Sequence, residues 1–156
     1  MLAELGTRGE QVRQRLESVM AGRDPAWDGA IERFFAHLSA RDWAALSVVL
    51  APEVVRVGPL GDEVSGREAY LDLLARSVPE QYANDVRRII YAVGGRSGFA
   101  RVTEHLGYPN HELHLEEAYA FDLDLTGLIR RVDVFWQTPP LDRDDGGDGE
   151  VDGVRT

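Results

Sequence analysis

Glu117 and Tyr119 stand two residues apart in a stretch that alternates apolar and polar, from Glu112 to Pro139. Two such runs flank Asp124-Leu125-Thr126-Gly127, which predicts a β-hairpin. Side chains alternate with period two, so Leu113, Leu115, Glu117, Tyr119 and Phe121 share one face of the first strand. Val132, Val134 and Trp136 share one face of the second. A carboxyl and a phenol on an apolar face can transfer a proton and donate a hydrogen bond. His105, His111, Glu112 and His114 suggest a metal, but His111 and His114 are three apart on a strand and point to opposite faces, so no metal is expected. The chain has no cysteine, and all 17 basic residues are arginine. That removes thiol nucleophiles, disulfides, thiolate metal sites and lysine Schiff bases.

A long two-stranded ribbon is marginal alone in water and needs further strands and an apolar cover. Val86 to Val93 and Phe99 to Leu106 read as two more strands, and Glu53 to Val57 as a short one. Helices are expected within residues 2–21 from about Glu10 onward, from Asp24-Pro25 to Arg41 with Trp27, Ile31, Phe34, Phe35 and Leu38 as its stripe, and from Trp43 to Leu50 behind an Asp42 cap. Ser65 and Glu68 have the spacing of a capping box before a helix that carries Tyr70, Leu71, Leu74 and Val78. Helices followed by long antiparallel strands make an α+β pattern.

One domain is expected in 156 residues, at residues 26–140, behind an N-terminal helical extension at 1–25. Residues 141–156 hold six acids and four glycines with almost nothing to bury, which predicts a disordered acidic tail. A net charge of −10 and the lack of a basic stripe argue against nucleic acid. No apolar run is long enough to span a membrane and the N-terminus is not a signal peptide, so a cytoplasmic protein is expected.

FFAHLSARDWAALSVVLAPEV, then SGREAYLDLL, then the run from Gly127 to Trp136 follow one another in an order that resembles the nuclear transport factor 2-like superfamily, in its SnoaL-like and ketosteroid-isomerase-like branches. The resemblance implies a cone: a curved antiparallel sheet wrapped around N-terminal helices, with an apolar pocket at its open end and a homodimer through its outer face. It implies pocket positions at Leu115, Glu117 and Tyr119, at Val134 and Trp136, and at Phe99, Arg101, Thr103 and His105 on the preceding strand. Ile90 or Ile89, Val102, Leu106, Ala118 and Ala120 are then left for the outer face. Arg101 and Glu117 would form a cross-strand pair, either structural or catalytic.

Carried over residue by residue, the isomerase chemistry is incomplete. The oxyanion-binding tyrosine falls at Phe34 and the general-base aspartate at Gly58, while the protonated aspartate falls at Tyr119. In the epoxide-hydrolase pattern Arg101 matches, but Thr103 and Val134 replace the two aspartates. The resemblance therefore implies a pocket for a small apolar molecule, with Glu117, Tyr119, Arg101 and His105 as catalytic candidates and Phe34, Phe99, Thr103, Leu115, Val134 and Trp136 as ligand-lining ones. No cofactor is expected. Three functions fit: an isomerase, cyclase or hydrolase acting on an apolar carbonyl or epoxide compound, a binder without turnover, or a dimeric interaction module.

Overall fold

A computed structural model describes residues 29–137, together with Arg13, Gln14 and Glu17, which are helical. Arg13 donates to Glu17 one turn on, at 3.0 Å. The remaining expectations for 1–28, and that for the acidic tail, lie outside the described residues.

Three helices and six strands follow: α1 (Ala30–Ser39), α2 (Trp43–Val49), β1 (Leu50–Val57), β2 (Glu63–Ser65), α3 (Arg67–Ser77), β3 (Gln81–Tyr91), β4 (Ser97–Tyr108), β5 (His111–Leu123) and β6 (Ile129–Trp136). One mixed sheet runs in the order β2-β1-β6-β5-β4-β3. It is antiparallel except where β1 lies parallel to β6, with Leu50 opposite Ile129 and Val57 opposite Asp133. That pairing departs from the antiparallel sheet expected: β6, the last strand in sequence, lies between β5 and β1 and joins them.

Local chemistry sets the element ends. Asp42 caps α2 by accepting from Ala45 N at 2.9 Å. The expected capping box does not form: Ser65 is the last residue of β2, and α3 starts after Gly66, whose φ of 96° belongs to glycine. In the β5–β6 turn Asp124 accepts from the Thr126 and Leu128 amides at 2.8 and 3.0 Å, and Gly127 takes φ 87°.

The core lies between the helices and the concave side of the sheet. Ile31, Phe34, Phe35 and Leu38 of α1 are all buried there. Phe34 meets Phe121 edge to face at 5.2 Å, and Phe35 meets Tyr119 at 5.1 Å. Tyr70 of α3 closes the same core, only 1% exposed.

Candidate functional site

Register decides which polar groups reach the concave side. Across β4 and β5, Ala100 stands opposite Tyr119, Val102 opposite Glu117 and Glu104 opposite Leu115. Across β5 and β6, Tyr119 stands opposite Val134 and Glu117 opposite Trp136. Paired residues share a face. Leu115, Glu117, Tyr119, Val134 and Trp136 are therefore on the expected side, and Phe34 faces them from α1.

On β4 the expectation was one residue out of step. Phe99, Arg101, Thr103 and His105 face outwards, while Ala100, Val102, Glu104 and Leu106 fill the concave side and are buried. A slip of one position flips every side chain of a strand. The Arg101–Glu117 pair does not form, because Arg101 stands opposite Ala118 on the other side of the sheet. Thr103 is covered from the outer side, where it donates to Glu116 at 2.7 Å and accepts from Arg87 at 3.2 Å. His105 packs against His114 at 4.5 Å, beside a hollow of about 390 Å³ that Gln81, Tyr82, Leu106 and Glu112 also line. Trp136 and Phe99, expected in the core, are 51% and 37% exposed. Trp136 has the expected parity but is the last residue of β6, whose end is exposed.

The flip brings in a residue that the sequence reading did not single out. Glu104 is 7% exposed and Glu117 6%, and they come from neighbouring strands on the same face. The Tyr119 hydroxyl is 2.9 Å from Glu104 Oε1 and 2.8 Å from Glu117 Oε2. Tyr82 of β3 reaches the same Glu104 Oε1 at 2.7 Å. Asn84 fixes this corner by donating to the Phe35 carbonyl at 3.0 Å. Burial and then the neighbouring Glu104 charge push the Glu117 carboxyl up to about 7, against a smaller opposing effect of hydrogen bonds from Tyr119 and the Trp136 indole. Burial, with Glu104 next, also raises the Tyr82 and Tyr119 phenols, which remain hydrogen-bond donors at neutral pH. A signal for Glu104 was present: Ala100, Val102 and Leu106 share its parity and are more apolar together than the alternate set.

Gly58, the position that the resemblance gives to the isomerase base, is buried against Asp62 and Arg56. A Cβ there would come within 2.1 Å of Asp62 Oδ1. Arg56 itself donates to Asp62 at 2.5 Å. Among the described residues, no group of three or more His, Asp or Glu side chains is arranged to hold a metal ion. At the Trp136 end a hollow of about 300 Å³ is lined by Glu117 and Trp136, with Arg101, Phe99 and Phe135.

The sequence matches the SnoaL-like domain over residues 31–132, nearly all of the described fold. The chain belongs to the SnoaL-like family. A structure from Kribbella flavida, provisionally assigned as a ketosteroid isomerase, is similar at 24% identity and a TM-score of 0.61, over 84% of this chain and 91% of that one. An epoxide hydrolase of Mycobacterium tuberculosis is similar at 18% identity and a TM-score of 0.62, over 72% and 83%. A protein of Xanthomonas campestris provisionally assigned as a polyketide cyclase is similar at 22% identity and a TM-score of 0.62, over 72% and 90%. At these identities the likeness is one of fold, the α+β cone. No curated protein matches the chain.

Proposed function

We propose that this SnoaL-like protein is an acid–base enzyme, an isomerase, cyclase or hydrolase acting on a small apolar carbonyl or epoxide compound. The observation that carries the reading is Glu117: a buried carboxyl on the concave side whose proton affinity is raised to about neutrality. A group poised there can give and take a proton at working pH. The Tyr119 hydroxyl, 2.8 Å away, would steady the Glu117 carboxyl or donate to an oxygen that gains negative charge. Leu115, Val134, Trp136 and Phe34 supply the apolar surroundings. Arg101 and His105 face the other side of the sheet, so the proton transfer is assigned to neither, although Arg101 borders the hollow at the Trp136 end that Glu117 also lines.

The experiment is turnover of a panel of cyclic enones, β-keto compounds and epoxides by wild type and Glu117→Gln. The amide keeps the shape and cannot accept the proton, so activity should fall by roughly 10²-fold or more. Full activity in Glu117→Gln would end the reading. Binding of panel members with no turnover would support the second reading, a binder of apolar ligands, which the hollow of about 300 Å³ beside Phe99, Phe135 and Trp136 favours.

The proposal includes a cytoplasmic homodimer through the outer face. Val102 and Leu106, expected there, are core residues, and Ile89 shares their side of the sheet. Ile90, Ala118 and Ala120 lie on the outer face as expected, and Phe99 and Phe135 join them there, so that three of the five are large and exposed. No helix among the described residues is long and apolar enough to cross a membrane.

A further inference from the structure

Proton counting in the Glu104–Tyr119–Glu117 cluster leads beyond a single acid. A phenol has one hydrogen, yet the Tyr119 oxygen lies within hydrogen-bond distance of a carboxyl oxygen on each side, at 2.9 and 2.8 Å. With both carboxyls ionised, one of these contacts would set lone pair against lone pair in a buried site, which is repulsive. The Tyr82 hydrogen does not help, because it is already used at Glu104 Oε1, at 2.7 Å. Among the described residues no arginine or histidine bonds to either carboxyl, so no cation relieves the pair. One further proton completes the set.

Its place follows from the donors. Glu104 Oε1 is faced by two phenols, Tyr82 and Tyr119, and Glu117 Oε2 by Tyr119 alone, so placing the shared proton on Glu117 leaves Glu104 with both donors. The contact between Glu117 Oε2 and the Tyr119 oxygen is then made by a Glu117 hydroxyl donating to the phenol. We propose that Glu104 is the positioning residue of this site: the two carboxyls hold one proton between them, carried on Glu117 and linked through the Tyr119 hydroxyl to an anionic Glu104.

Ionisable groups reach the cluster from several elements. Glu104 is on β4, Tyr82 on β3, Tyr119 on β5 and Tyr70 on α3, with Arg56 of β1 acting on Tyr70. The Trp136 indole of β6 donates to Glu117, and α1 presents the rings of Phe34 and Phe35. Glu104 is the nearest negative charge that Glu117 meets. Removing it should release the proton from Glu117 at lower pH. Weakening its donors should make the pair hold the proton more tightly.

The inference deepens the acid–base reading, and its test needs no substrate. Infrared spectra across neutral pH follow the carbonyl stretch of a protonated carboxyl in the full chain. Wild type should show one such group at neutral pH, absent in Glu117→Gln. In Glu104→Gln its midpoint should fall by about one unit or more, a tenfold or greater loss of proton affinity. In Tyr82→Phe, which leaves both carboxyls in place, the midpoint should rise. Circular dichroism checks each fold, and if Glu104→Gln does not fold, the wild-type band and Tyr82→Phe carry the test. A wild type with no protonated carboxyl at neutral pH, or a midpoint that Glu104→Gln and Tyr82→Phe leave in place, would overturn it. With the band present and no substrate turned over, the acid–base enzyme reading alone would fall.

Discussion

The hydroxyl of Tyr119 lies 2.8 Å from Glu117 Oε2, inside an apolar core that includes Phe34, Phe35 and Phe121. A buried polar pair of this kind is costly unless it is satisfied, so the contact makes the chain's stability depend on pH.

The sign follows from the raised Glu117 carboxyl. Its ordinary value is 4.5 and its folded value about 7, so the native state binds the proton more tightly than the unfolded chain. The stability it contributes is fully present below about pH 4.5 and is lost as pH rises through 7. The difference amounts to roughly 3 kcal/mol. Glu117→Gln should remove this slope, so thermal melting at pH 8 should find the variant at least as stable as wild type. A marked drop in its melting temperature at pH 8 would refute the assignment.

Trp136 and Phe121 should differ in what their removal costs. Phe121 is 1% exposed and packs on Phe34, so Phe121→Ala should cost about 3–5 kcal/mol in urea unfolding. Trp136 is 51% exposed, and Trp136→Ala should cost about 1 kcal/mol. Equal losses would show that the ring of Trp136 is covered in solution.

Loss of the Trp136 indole should also be felt at Glu117. Its N–H favours the ionised carboxyl, so Trp136→Phe should raise the Glu117 titration midpoint. A midpoint that falls would mean that the indole does not point at the carboxyl.

On the outer face Phe99 and Phe135 flank Ala118 and Ala120. Sedimentation at tens of micromolar, a range that detects weak association, should show a dimer. Phe135→Arg should yield a monomer with an unchanged far-ultraviolet spectrum. A wild type that sediments only as a monomer would remove the dimer from the account.

The hairpin was legible, because Asp124 to Gly127 is a strong turn and both flanking runs alternate cleanly, while the cone came from the family resemblance. Asp42 placed α2 for the same kind of reason, a side chain that satisfies the first turn locally. Ser65 did not place α3, since pairing of Val55 with Ser65 drew that residue into β2. The site was half legible. Alternation put Glu117 and Tyr119 on one face and the resemblance made that face the pocket's, but β4 carries Phe99 on one parity and Ala100, Val102 and Leu106 on the other. A register brought in over a lengthened loop chose the wrong set, hiding Glu104 and promoting Arg101 and His105. Tyr82 was missed because β3 begins at Gln81, five residues before the expected Val86.

The central claim is that Glu117 keeps its proton to neutral pH. A carbon-13 titration of its carboxyl, assigned by comparison with Glu117→Gln, measures this directly. The account predicts a midpoint at about 7. A midpoint at the ordinary glutamate value near 4.5 would contradict it.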